Sequence, residues 1–147
     1  MKKQLMTWVL AMSALTAGAA ESVTGMWTTI DDSTGKAKSV VQIYEYKGKV
    51  YGRVVKTMRP NATAKLPGNP KTEGLDIIWD LEKDDDSWTD GKVLDPENGK
   101  VYGCEIWRDG KNLIVRGKIA FLGRNQTWLP NTTEQPLKNP VPKKPVK

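Results

Sequence analysis

Hydrophobic and polar residues alternate with a period of two along most of this chain, and short turn sequences separate the alternating runs. Side chains two positions apart lie on the same face of a β-strand, so this period predicts strands with one buried face. The central stretch runs from Ser87 to Trp107, where apolar and aromatic residues flank the sequence DPENG at 95–99. Asp and Pro favour the start of a turn, and Asn and Gly accept left-handed backbone at its end. This stretch therefore predicts a central β-hairpin.

A second hairpin is predicted around Asp109-Gly110, a pair that suits a two-residue turn. If those two residues form the whole turn, Ile106 pairs with Leu113 and Cys104 pairs with Val115. These four side chains share a face that is apolar, whereas the opposite face mixes Trp107 and Ile114 with polar residues (Asn112, Glu105 and Arg116). We therefore expect Cys104 to be buried and unreactive, because a thiol in apolar surroundings is inert.

The rest of the chain after residue 20 follows the same pattern, and no convincing helical period interrupts it. The segment 58–73 contains three prolines and predicts a long loop, of the kind that often forms a lid. Tyr44 and Tyr51 pair on an outer face if Lys47-Gly48 is a two-residue turn. The other strands are predicted at 23–30, 39–46, 49–57, 75–81 and 124–129.

Eight short strands with hairpin connections predict an all-β fold, an eight-stranded antiparallel up-and-down β-barrel. Closure into a barrel removes the exposed strand edges that a flat sheet would leave. An eight-stranded barrel either fills with its own side chains or holds one small ligand. The sequence favours the filled interior, because eight strands leave little spare volume.

The two ends of the chain differ from the barrel sequence. Residues 1–20 predict a secretory signal peptide, with Lys2 and Lys3 before an apolar run and small residues at a cleavage site. The apolar run is too short to span a membrane, so cleavage is favoured over retention as an anchor. Residues 131–147 are rich in proline and lysine and predict a disordered tail. The folded domain is therefore predicted at 21–130, in a periplasmic or secreted protein.

The net charge of +6 does not indicate a nucleic-acid partner, because most of it lies outside the predicted domain. Lys2 and Lys3 contribute +2, and four lysines with Glu134 give the tail +3, which leaves +1 for the domain. A charge of +1 provides no basic face for phosphate binding. The tail charge permits a weak contact with the cell envelope, although a solvated tail is the simpler interpretation.

Several runs of residues resemble one bacterial family of small exported proteins, the domain of unknown function 2147 family. These runs are GMW at 25–27, VVQIYEYKGKVYGRVV at 40–55, LDPENGKVY at 94–102 and LGRNQTW at 122–128. The resemblance implies a lipocalin-like β-barrel with no established activity. It also implies that Gly25 and Trp27 close one end of the barrel, with Arg124 as the arginine that lies against the tryptophan.

The candidate binding residues are Trp79, Trp88 and Tyr102, which are predicted to line a pocket at the barrel mouth with the loop 58–73. A small apolar or amphiphilic ligand, such as a lipid, is the leading hypothesis. The alternative is a ligand-free envelope protein whose outward-facing Trp107, Tyr44 and Tyr51 contact a partner. The chain has no histidine, and its acidic cluster at 84–86 lacks the spacing of a calcium loop. We therefore predict no enzyme activity, no cofactor and no metal.

Overall fold

Eight antiparallel strands follow one another around a closed barrel in the computed structural model, which describes residues 21–119 and 122–146. The predicted all-β class and the closed up-and-down order are confirmed. The predicted signal peptide, residues 1–20, lies outside the described residues. No helix within the described ranges has the length and apolar character needed to cross a membrane. The strands are β1 Gly25–Ile30, β2 Ala37–Tyr46, β3 Lys49–Thr57, β4 Asp76–Asp84, β5 Ser87–Leu94, β6 Val101–Asp109, β7 Asn112–Ile119 and β8 Leu122–Pro130.

The connections alternate between the two ends of the barrel. Three two-residue turns, at 47–48, 85–86 and 110–111, lie at one end, and residues with positive φ allow each tight reversal. The longer loops 31–36, 58–75 and 95–100 lie at the other end. In the last of these, Asp95 accepts a hydrogen bond from the Glu97 backbone N–H at 2.8 Å, as an Asp-initiated turn requires. The central hairpin predicted from DPENG is therefore confirmed.

The hairpin of β6 and β7 differs from its predicted register by two residues. The turn residues are Gly110 and Lys111, so Cys104 faces Gly117 and Ile106 faces Val115. A shift of two preserves the face to which every side chain points, because the side-chain period of a strand is also two. Cys104 is consequently buried, as predicted, at 1% relative exposure.

An irregular pairing of β3 with β4 changes which side chains face inward. The register shifts between Val50 and Gly52, so Ile78 rather than its neighbour Trp79 lies inside against Gly52, and it shifts again between Gly52 and Arg53. A Cβ on Gly52 would lie 3.2 Å from that of Ile78 and 2.9 Å from Ile43 Cδ1, which leaves no room for a larger residue. The strict alternation predicted for 75–81 is therefore broken, and Ile77 also faces the interior, where it lines a cavity.

The barrel closes through a short seam between β1 and β8. Only Trp27 with Pro130 and Thr28 with Leu129 are paired there among the described residues. Toward the mouth, side chains replace this backbone pairing: Asp32 accepts hydrogen bonds from Arg124 and from Gln126, the latter at 3.2 Å. The mouth end of the seam is thus held by exposed polar groups.

The described part of the tail, 131–146, packs along the outside of β2, β3 and β4, which differs from the disorder predicted by its composition. Leu137, Val141 and Lys143 each use a backbone group to hydrogen-bond a barrel side chain. Composition missed this order because the contacts use the tail's main chain, which any sequence provides. Tyr44 and Tyr51 pair on the outer face as predicted and are stacked, but they are only 5% and 7% exposed.

Candidate ligand-binding site at the barrel mouth

A cavity of about 700 Å³ opens at the end of the barrel that carries the long loops. Its volume lies in the range of small-molecule sites, which is roughly 300–1,000 Å³. Buried apolar side chains line its walls and floor: Val54, Ile77, Leu94, Val115 and Trp128. Below this floor the other half of the barrel is filled by side chains that do not line the cavity, among them Ile43, Val50, Leu81, Ile106 and Leu113.

The prediction of a filled interior is therefore wrong for the mouth half of the barrel. Small residues on the inner faces of the strands leave the space: Thr29, Ser39 and Gly117 all line the cavity. A Cβ on Gly117 would come no nearer than 3.8 Å to Val93 Cγ1, so this glycine leaves volume that a side chain would occupy. Counting strands does not reveal this volume, because it depends on the sizes of the inward-facing residues.

Ion pairs connect the elements around the rim. Lys38, at the start of β2, contacts Glu97 of the loop 95–100 at 2.8 Å, and these two elements lie on opposite sides of the barrel. Arg124 of β8 pairs with Asp32 beyond the end of β1. Both pairs are well exposed to solvent, so each contributes little to stability. A charged group of a ligand could displace one side chain of such a pair and contact the other.

The loop 31–36 is shaped by Asp31, which also lines the cavity. Its carboxylate accepts hydrogen bonds from the backbone N–H groups of Thr34 and Ser33, at 3.0 and 2.8 Å. These two bonds hold the pKa of Asp31 below its ordinary value, because they favour the ionised form. The rim therefore keeps this negative charge down to acidic pH.

The loop 58–75 covers one side of the mouth and is tied down at several points. Ala64 and Thr72 donate backbone hydrogen bonds to Pro70 and Ala62 within the loop, and Lys65 donates one to the Pro96 carbonyl at 2.8 Å. Gly99 packs so closely that an added Cβ would overlap the Lys65 carbonyl oxygen. Internal bonds and this contact fix the loop as part of the wall. It contributes Met58, Arg59, Ala62, Thr63 and Thr72 to the lining.

Of the three candidate binding residues, Tyr102 lines the cavity, and Trp79 and Trp88 do not. The irregular pairing near Gly52 displaces Trp79 from the cavity side of β4. Trp88 lies beside the turn 85–86, at the opposite end of the barrel, where the Lys83 ammonium is 5.5 Å from its ring centroid. The tryptophan that lines the cavity is Trp128, which sequence reasoning assigned to the last strand without a role.

The closed end of the barrel uses a different arginine from the one that the resemblance implies. Trp27 is buried there and donates a hydrogen bond from Nε1 to the Val23 carbonyl at 3.0 Å. The Arg108 guanidinium, from β6, lies 5.2 Å from the ring centroid and bonds the Gly110 carbonyl at 2.8 Å. Arg124 lies at the mouth instead, because β8 runs from the mouth to the closed end and Arg124 stands near its start. Gly25 begins β1 at a φ of +141°, where a glycine is favoured.

Other candidate chemistry does not gather at the mouth. Asp84 ends β4 and Asp85 and Asp86 form its exposed turn at the closed end. In residues 21–119 and 122–146, no three Cys, Asp or Glu side chains group as a metal site. Burial raises the pKa of the Cys104 thiol above its ordinary value, which keeps the thiol protonated and unreactive at neutral pH.

Comparison with known proteins gives one matching family and one similar solved structure. The family described as "Uncharacterized protein conserved in bacteria (DUF2147)" matches residues 25–129. The chain belongs to this family. The fold of this family member is also similar to the solved structure of protein HP1028 from Helicobacter pylori, described as belonging to the lipocalin family. The two share 21% sequence identity and a TM-score of 0.64, over 78% of this chain and 86% of that one. No curated protein matches the chain.

Proposed function

We propose that this protein is an exported, non-catalytic binding module that takes up a small apolar or amphiphilic molecule in its mouth cavity. The observation that supports this proposal is the cavity of about 700 Å³, open at one end and floored by buried apolar side chains. Burial of apolar surface contributes roughly 25 cal/mol per Å², so the floor favours a hydrocarbon or aromatic group.

The rim supports the amphiphilic part of the proposal. Tyr102 and Asn98 hydrogen-bond each other at 3.1 Å beside the cavity, and Arg59 and Lys38 also line it. A ligand with an apolar body and one polar end would place the body on the floor and the polar end among these groups. Such a small set of polar groups around an apolar pocket is typical of ligand sites.

Glycine 117 offers a direct test, because a larger residue there fills the cavity without a close backbone contact. We expect Gly117→Leu to weaken binding of 1-N-phenylnaphthylamine and of 1-anilinonaphthalene-8-sulfonate at least tenfold, measured by fluorescence titration. The matched control is Gly103→Leu. Gly103 lies on the neighbouring strand, and its Cβ would point away from the cavity at an ordinary 3.5 Å from the Lys118 carbonyl oxygen. Equal affinities for the native protein and Gly117→Leu would refute the mouth as the site.

Export and the natural ligand are tested together by native mass spectrometry of protein purified from the periplasm. The expected protein mass is that of a chain processed near residue 20, with additional mass retained from a bound small molecule. Full-length protein in the cytoplasmic fraction would refute export. If the native protein and the Gly117→Leu variant retain the same additional mass, the bound molecule does not lie in the mouth cavity.

The alternative function, an envelope protein that binds a partner through Tyr44 and Tyr51, gains no support from the surface. The tail packs along the sheet face that carries both tyrosines, which are almost fully buried. Trp107, the third predicted contact residue, is half-buried. The tail lysine Lys144 already contacts Asp80 of the barrel at 2.5 Å. We therefore place this alternative behind the binding module.

A further inference from the structure

The outer surface of β2, β3 and β4 is built to hold an extended peptide. We call it the tail-binding face and define it by Gln42, Tyr44, Arg53, Asp76 and Asp80. Antiparallel sheets normally present polar side chains to solvent on an outer face. Here Asp76 and the aromatic ring of Tyr44 are instead almost fully covered, and the segment 131–146 lies along this face.

The contacts on this face are directed mainly at the tail's main chain. Gln42 holds Leu137 at two points, accepting from its N–H at 2.8 Å and donating to its carbonyl at 3.3 Å. Arg53 donates to the Val141 carbonyl at 2.6 Å. Asp76 accepts the Lys143 N–H at 2.7 Å. These groups recognise an extended backbone.

Two side chains of the tail add chemical selectivity. Lys144 pairs with Asp80 at 2.5 Å, and Val146 packs against the core cluster. The prolines at 136, 140, 142 and 145 favour the extended conformation, which lowers the entropy lost on docking. The face therefore fits an extended, proline-spaced segment that carries a lysine and, two positions later, an apolar residue.

We infer that the tail-binding face also accepts the tail of a second copy of this chain, so that two copies can exchange their tails. Gln135 and Pro136 are exposed and lie between Glu134, which contacts Lys56, and Leu137, which is the first residue bound by Gln42, so we take them as the hinge. Docking from a second copy reproduces every contact of the tail beyond this hinge. Exchange of an identical terminal segment is a low-cost route to a dimer for this reason.

Docking within one chain competes with this exchange. A short flexible connection gives the attached tail an effective concentration in the millimolar range. Native chains therefore keep their own tails bound at lower protein concentrations. Exchange becomes measurable when one copy has an empty face and the other has a free tail, and two complementary full-length variants provide this pair.

The first variant, Gln42→Ala/Asp80→Asn, weakens the face and leaves the tail sequence intact. Asn suits position 80 because its φ is +61°, a left-handed value that Asn tolerates. The second variant, Leu137→Pro/Lys143→Pro, removes the two tail N–H groups that Gln42 and Asp76 accept. Each new proline follows an existing proline, so the extended conformation is retained. The second variant keeps an intact but empty face.

We expect the two variants to form a 1:1 complex by sedimentation velocity at concentrations where each alone is a monomer. The first variant should bind the native chain at least tenfold more weakly, because the native face is occupied. Val141→Pro is the matched control for the second variant. It removes an N–H that donates to no group among the described residues and keeps the carbonyl that Arg53 contacts.

Equal binding of the first variant to the Leu137→Pro/Lys143→Pro and Val141→Pro chains, or no complex at all, would overturn the inference. A labelled synthetic peptide of residues 131–147 tests the face separately. It should bind the Leu137→Pro/Lys143→Pro chain at least tenfold more tightly than the native chain. Peptide binding without a complex between the variants would reject the second copy as the occupant. No peptide binding by a variant that retains its mouth-probe affinity would reject the face itself.

Discussion

Replacement of Asp76 by alanine tests how much the ion pair of Arg53 and Asp76 contributes to stability. The Asp76 side chain is 0% exposed, and its carboxylate accepts hydrogen bonds from Arg53 Nε at 2.7 Å and from the Tyr44 hydroxyl at 3.1 Å. Asp76→Ala leaves the Arg53 guanidinium, whose side chain is only 17% exposed, without its carboxylate. Removing one member of a buried ion pair costs about 3–5 kcal/mol, because the remaining charge stays desolvated.

Urea denaturation followed by tryptophan fluorescence measures this cost. With an m-value of about 1–3 kcal/mol per M, we expect the midpoint to fall by at least about 1 M. The double variant Arg53→Met/Asp76→Leu removes both charges and replaces them with apolar side chains. It should lose less stability than Asp76→Ala, since no unpaired charge remains. A double variant at least as unstable as the single one would refute this account of the pair.

Three further predictions concern other parts of the barrel. Gly99→Ala places a methyl group against the Lys65 carbonyl at a φ of +76°. We therefore expect the free energy of unfolding to fall by about 1–3 kcal/mol and the loop 58–75 to be cleaved faster by proteases. Cleavage at the native rate would contradict the contact. Arg108→Ala removes the cation over the Trp27 ring and should cost about 1–3 kcal/mol in thermal or urea unfolding, whereas a cost near zero would argue against this closure. Burial raises the pKa of Cys104 above its ordinary 9.0, so the unfolded thiol ionises first. The contribution of the protonated Cys104 thiol to folding stability is complete below pH 9.0. As the pH rises above 9.0, this contribution is lost by up to about 1.4 kcal/mol per pH unit. Cys104→Ala should lack this slope in pH-dependent urea titrations, and equal slopes would contradict the burial.

The sequence predicts well those parts of the fold that depend on interactions between neighbouring residues. The central hairpin follows from Asp95 and Gly99, whose turn conformations need only neighbouring residues. The inner faces of β6 and β7 follow from alternation, which specifies the face of a side chain but tolerates a register shift of two. For that reason alternation gives the correct face for Cys104 but the wrong strand partner.

Features that depend on distant parts of the chain were missed. Alternation places Trp79 at the cavity because it cannot reveal the register shift beside Gly52. The resemblance implied Arg124 at the closed end, but the chain direction of β8 brings Arg124 to the mouth, and Arg108 reaches the tryptophan instead. The tail has no periodic pattern, and its docking depends on barrel residues such as Gln42, which lies 95 positions from Leu137 in sequence.

The short pairing of β1 with β8 gives the barrel wall a weak side next to the cavity. Between β2 and β3 and between β6 and β7, long ladders of backbone hydrogen bonds join the strands, and separating them exposes many polar groups at once. At the mouth end of this seam the exposed contacts of Asp32 with Arg124 and Gln126 hold the edges together. Separating the two edges at the mouth therefore breaks only a few exposed polar contacts, so the barrel wall opens there at a lower cost in backbone hydrogen bonds than between β2 and β3.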